Sequence, residues 1–145
     1  MAYCESADLT ARIGTLRLAE LTNDTSGATT VDATVVTALI TRADTIIDAK
    51  MTGVYTTPFV SVPKIIKQCS IDIVLYNAFL RRFANMEVPR EWIEANKQAM
   101  QMLDDIANLT ITLDTAPAVQ SAESAIEAPT KLIDFYDDDY VTIYY

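Results

Sequence analysis

The chain has 145 residues, half of them hydrophobic, enough for one domain with a real core and hardly for two. It carries a formal net charge of −9 and no histidine. That excludes every histidine-based triad and metal site, and it argues against duplex nucleic acid as the main ligand, because phosphate binding needs a concentrated basic surface.

Residues 1–5 read as a short lead, with Cys4 near a loose N-terminus. Ser6 is placed to cap a first helix, with Asp8 favourable in its first turn. Leu9, Ile13, Leu16, Leu18 and Leu21 give it an apolar side, and Gly14 divides it into two short pieces. Residues 22–30 form a polar loop of types that hydrogen-bond their own backbone. Asn23, Asp24 and Asp32 invite a calcium-loop reading, but the alternating oxygen ligands and closing glutamate of an EF-hand are missing.

The longest ordered pattern runs from Val31 to Arg82. Asp32 can cap a helix in which Val35, Val36, Leu39, Ile40, Ala43, Ile46, Ile47 and Met51 recur at helical spacing. Gly53 is a plausible stop. A ten-residue linker with Pro58 and Pro63 follows, and Pro63 falls where a new helix tolerates proline. Ile65, Ile66, Cys69, Ile73, Val74, Tyr76, Phe79 and Leu80 continue a second helix, so an antiparallel hairpin is expected. Arg81 and Arg82 suit its C-terminal end. Pro89 opens a third long helix, to about Leu109, with Trp92, Ala95, Ala99, Met102, Leu103 and Ile106 facing inward. Trp92 reads as a core or interface anchor.

After Leu109 the character changes. Residues 1–109 carry 13 acids and 10 bases, whereas residues 110–145 carry 7 acids and one base. Thr110–Leu113 is β-prone, and residues 110–131 as a whole read as a linker, rich in Ala, Ser and Pro from Asp114 on. Residues 132–145 hold four of the seven tyrosines, with apolar, β-branched runs around Asp137, Asp138 and Asp139. An isolated hairpin is marginal in water, so this tail is expected to order on a partner or a neighbouring subunit. The fold expected is all-α: a small helical bundle built on a long antiparallel hairpin plus a third long helix, with an extended C-terminal tail of β-strand character. Its divisions are a helical domain 1–109, a linker 110–131 and an interaction tail 132–145.

Little in the chain points to catalysis. The chain has three glycines and no phosphate loop, and Cys69 has no nucleophile motif around it. Cys4 and Cys69 read as free thiols of a reducing compartment rather than a disulfide. No apolar run reaches the ~20 residues of a membrane span, and the N-terminus lacks a basic start and apolar stretch, so no signal peptide and a cytoplasmic site of synthesis are expected. One constellation merits a test. Asp44 and Asp48 are an i, i+4 pair, with Asp72 on the next helix, and together they could hold a divalent cation. The competing reading pairs Asp44 and Asp48 with Arg42, Lys50 or an arginine on a neighbouring helix, as packing or subunit contacts.

Met1-Ala2-Tyr3, Ser6-Ala7-Asp8-Leu9 and Arg12-Ile13-Gly14 resemble the start of the Mu-like family of tailed-phage head–tail joining, or head-completion, proteins. The similarity continues in Leu18-Ala19-Glu20-Leu21-Thr22 ("L-x-x-L-T"), then in Ala43-Asp44, Ile47-Asp48 and Tyr55. It goes on through the Pro58 to Pro63 loop and Cys69, Asp72, Ile73 and Tyr76, and covers roughly residues 1–109. The loop at residues 23–30 is less acidic than usual in that family, and the tail from Asp114 to Tyr145 extends beyond its common core.

The resemblance implies a non-enzymatic structural adaptor without a cofactor, in the neck of a virion assembled in the host cytoplasm. It implies a homo-oligomeric ring of about twelve copies beneath the portal protein. The ring extends the DNA channel, lets the duplex pass without sequence-specific binding and docks a stopper or tail-completion protein. An acidic lumen suits a conduit that must not hold DNA. Tyr55, Pro58, Pro63, Trp92, Asp44, Asp48 and Asp72 would then be structural or subunit contacts. Phe135, Tyr136, Tyr140, Val141, Ile143 and Tyr144 would grip the portal or an adjacent ring by strand addition. Two other classes stay open at this point: a monomeric regulatory binding module, and a metal-dependent enzyme using the three aspartates.

Overall fold

A computed structural model describes residues 2–83 and 88–114. They form five helices: α1 (Ser6–Ile13), α2 (Thr15–Thr22), α3 (Ala33–Met51), α4 (Lys64–Arg82) and α5 (Arg90–Ala107). The fold is all-α, as the periodicity predicts.

Local chemistry sets each boundary. α1 starts one residue earlier than expected. Glu5, not Ser6, is the cap residue, because the Asp8 carboxylate reaches back to accept from the Glu5 N–H at 2.9 Å. Gly14, at φ +84°, separates α1 from α2. The break resets the helical phase: Leu18, Ala19 and Leu21 turn inward, and Leu16, expected on the apolar side, is 64 % exposed. Asp32 caps α3 as expected, accepting from the backbone N–H groups of Thr34 and Val35. Gly53, at φ +95°, follows its last turn. Pro63 and Pro89 occupy the cap positions of α4 and α5, where no intrahelical N–H is needed. Leu109 ends α5 at φ +59°, and Leu109 N–H and Thr110 N–H donate back to Ile106 and Asp105 carbonyls, the left-handed stop that glycine usually supplies.

Contacts along the helices give their directions. The N-terminal end of α3 lies near Thr22, whose hydroxyl accepts from the Asp32 N–H at 3.2 Å. The C-terminal end of α4 reaches the same place, where Arg81 donates to the Leu21 carbonyl. α3 and α4 are therefore antiparallel, as expected. Phe79 stacks on Trp92, and Cys69 meets Met102, so α4 and α5 are antiparallel too. α4 is central. Ile66, Cys69, Ile73, Val74, Leu75, Ala78 and Phe79 are buried against α3, α5 and the α1–α2 pair, while Leu80, expected inside, is 40 % exposed.

Two segments depart from the sequence reading. The lead is not loose: Tyr3 and Cys4 are 2 % and 1 % exposed and belong to the core. Thr110–Leu113 forms no strand; Ile111 and Leu113 pack on the core, and the Leu113 N–H donates to the Tyr55 hydroxyl at 3.0 Å. No helix among the described residues is long and apolar enough to cross a membrane. Residues 115–131 of the linker, and the tail residues Phe135, Tyr136, Tyr140, Val141, Ile143 and Tyr144, lie outside the described residues.

Candidate functional site

The N-terminal segment and α3 are joined by a polar contact centred on one residue, Tyr3. Asp44 and Asp48 sit one turn apart on α3 and hold the same residue. The Tyr3 N–H donates to Asp44 at 3.2 Å, and the Tyr3 hydroxyl donates to Asp48. The Tyr3 ring packs on Phe59 at 5.7 Å, and Phe59 on Tyr55 at 6.1 Å. Next to it, the Ser70 hydroxyl of α4 donates to the buried Cys4 thiol.

Burial governs the ionisation of this cluster. It pushes the Tyr3 phenol well above its ordinary value, and the hydrogen bond to Asp48 adds to that. It also raises the Asp44 carboxyl, with Asp48 contributing, while the Tyr3 N–H works the other way. Cys4 and Cys69 are both free thiols, pushed by burial to about 11. Thiols at that value are not nucleophiles near neutral pH.

The three aspartates fall into two separate sets of contacts. Asp44 and Asp48 pair with neither Arg42 nor Lys50; they hold Tyr3, and Lys50 instead pairs with Asp104 on α5. Asp72 lies on another side of α4, accepting from Gln68 and 4.0 Å from Arg12 on α1. Three carboxylates on facing helices are not brought together, and no metal-binding cluster is formed among the described residues. The sequence reading missed Tyr3 because an isolated tyrosine next to a chain start carries no periodic signal.

The remaining expected contact residues are spread through the molecule. Tyr55 is buried and accepts from Leu113; Pro58 is exposed beside the Tyr3 clamp; Pro63 caps α4. Trp92 is partly buried and stacks on Phe79 at 5.2 Å, with Arg17 over the same Phe79 ring at 5.7 Å. Arg81 bonds Asp24 at 2.8 Å and so pins the polar loop, whose Asn23 side chain accepts from the Thr25 N–H.

Beside the Tyr3 clamp an open groove of ≈ 780 Å³ runs along α3. The N-terminal segment forms its other wall, Val36 and Ile40 give it an apolar stretch, and Asp44, Asp48 and Pro58 mark one end. The solvent face of α3 is unusually plain for a surface helix: Thr34, Ala38, Thr41, Thr45 and Ala49 are exposed, with Arg42 beside them. Thr37, Thr41 and Thr45 turn their hydroxyls onto carbonyls one turn back, which leaves mostly methyl groups outward.

The family model described as Bacteriophage Mu, Gp36 matches residues 3–131. The chain belongs to the Bacteriophage Mu Gp36 family. This makes it a phage protein, and the Gp36 match points to a structural or assembly role. The match begins at Tyr3, the residue that the two α3 aspartates hold, and it runs past the end of α5. Residues 132–145 lie beyond it. No curated protein matches this chain.

Proposed function

We propose that this member of the Gp36 family is the head–tail connector, or adaptor, of a tailed phage. It forms a homo-oligomeric ring of about twelve copies beneath the portal protein, extends the DNA channel and docks a stopper or tail-completion protein. The ring sits in the virion neck and acts without catalysis or cofactor. The observation that carries this reading is the family match across residues 3–131, on a chain whose described part is an all-helical bundle. The Thr- and Ala-rich outer face of α3 supports it, because small uncharged side chains let a neighbouring subunit approach closely and leave little charge to desolvate. The tail, around Tyr140, Val141, Ile143 and Tyr144, makes the attachment to the portal or the adjacent ring by strand addition.

The test is mass and shape by light scattering of the full chain, alone and with its portal. A large ring in either condition is expected. A monomer in both overturns the adaptor and favours a monomeric binding module. Substituting Tyr140→Ser and Tyr144→Ser should abolish attachment while leaving the helical circular dichroism and the melting temperature unchanged. Attachment at the parent level would remove the tail from the mechanism.

A further inference from the structure

The N-terminal segment and Thr110–Leu113 lie at opposite ends of the described chain, yet one row of side chains joins them. Neither segment is helix or strand. The Thr110 and Ile111 N–H groups donate to the Asp105 carbonyl, which ties down the start of the second segment. Its far end is held by the Leu113 N–H, which donates to the Tyr55 hydroxyl at 3.0 Å. The N-terminal segment is held by the Tyr3 N–H on Asp44, at 3.2 Å, and by the Tyr3 hydroxyl on Asp48. Irregular segments held by a few side-chain bonds belong to the low-stability end of a fold, where local opening takes place.

Three rings fill the space between these two sets of bonds. Tyr55 packs on Phe59 at 6.1 Å, and Phe59 on Tyr3 at 5.7 Å. All three are buried. Phe59, the middle one, lies in the α3–α4 connection outside any helix, so side-chain packing positions it rather than a backbone ladder. Close-packed rings do not shift one at a time. A Tyr55 ring released from Leu113 opens space beside Phe59, and Phe59 is one wall of the Tyr3 site. Ile111 and Leu113 add apolar packing on the core. Order in either segment therefore lowers the cost of ordering the other.

We propose that Thr110–Leu113 is a strap that locks the N-terminal segment onto α3 through Tyr55, Phe59 and Tyr3. Lifting the strap loosens the Tyr3 clamp, and by reciprocity releasing the clamp loosens the strap. The chain runs from Leu113 directly into the linker and tail, so an attachment made farther along acts first on the strap. On the adaptor reading, on which this last step alone rests, tail attachment is thereby coupled to the N-terminal segment and to α3. The lock itself is a property of the free chain.

The test is amide hydrogen exchange by NMR in the full chain, with each variant read at the bond it leaves intact. Tyr55→Phe keeps the ring and removes the acceptor of the Leu113 N–H. Exchange at the Tyr3 N–H should rise about three- to tenfold, the equivalent of one ordinary hydrogen bond. Tyr3→Phe keeps its own N–H and removes the hydroxyl, and exchange at the Leu113 N–H should rise by a similar factor. Asp48→Ala cuts the same clamp bond from the α3 side without touching a ring, and should repeat the Leu113 result. The controls are the N–H groups of Val35 and Thr25, which donate to the side chains of Asp32 and Asn23 at the other end of α3, and they should not change. No rise at the distant reporter, or an equal rise at all four amides, would overturn the lock. Ring formation with the portal is scored separately by light scattering. A ring without coupled exchange removes the lock and keeps the adaptor, and coupled exchange in a chain that stays monomeric with the portal does the reverse.

Discussion

Asp44 and Asp48 have the same spacing and the same side chain, yet Tyr3 uses them differently. Asp44 receives a backbone N–H in a site where burial and its neighbour both raise its pKa, so its charged form is the disfavoured one. A carboxyl with a raised folded-state pKa lowers stability above that pKa, and the penalty disappears as pH falls through it. Asp44→Asn keeps an oxygen for the Tyr3 N–H and removes the charge. Its stability at pH 7 should equal or exceed the parent's, within about 1 kcal/mol, and the difference should vanish as pH falls through the folded-state pKa of Asp44. Asp48→Ala should behave oppositely, costing about 1–3 kcal/mol at pH 7, because it strands the hydroxyl of a buried tyrosine. Urea titrations of both variants across pH would measure this. The i, i+4 spacing was visible in the sequence; the residue that uses it was not, because it comes from a segment 41 residues away with no pattern of its own.

At the scale of elements, the three long helices were legible because each has a complete apolar stripe and a recognisable start at Asp32, Pro63 or Pro89. The errors fell where the stripe was short or interrupted. Gly14 re-phases the chain, so Leu16 could not be placed by extending the α1 pattern. Leu80 lies at the edge of the α4 stripe, and only the position of α5 decides that it stays partly open. The end of α5 was legible in position but not in geometry. Leu109 holds a left-handed conformation that costs a branched residue about 1–2 kcal/mol, and its side chain is 54 % exposed, so little burial offsets it. Leu109→Gly should therefore raise stability by about 0.5–1 kcal/mol, the gain being reduced by the greater freedom of glycine in the unfolded chain. A higher urea midpoint at unchanged slope is the expected result; a lower midpoint would mean that the exposed side chain contributes more packing than its burial implies.

At the scale of the whole molecule, the two thiols report on cooperativity. Cys4 comes from the N-terminal segment and Cys69 from α4, and both are buried in one core with pKa values of about 11. Neither should react with a thiol reagent at pH 8 in the native protein. Both should become reactive together as the core opens in denaturant. Early labelling of Cys4 alone would show that the N-terminal segment detaches separately, which the Tyr3 clamp argues against.

The sequence by itself determined the helical class, the order of the long helices and the family resemblance, because periodicity, caps and motif spacing are local properties of the chain. Only the tertiary structure decided that the lead is core, that the aspartates clamp a tyrosine instead of gathering around a metal, and that an open groove lies along α3. Each of these depends on which distant residue meets which, and that is set by how the helices pack.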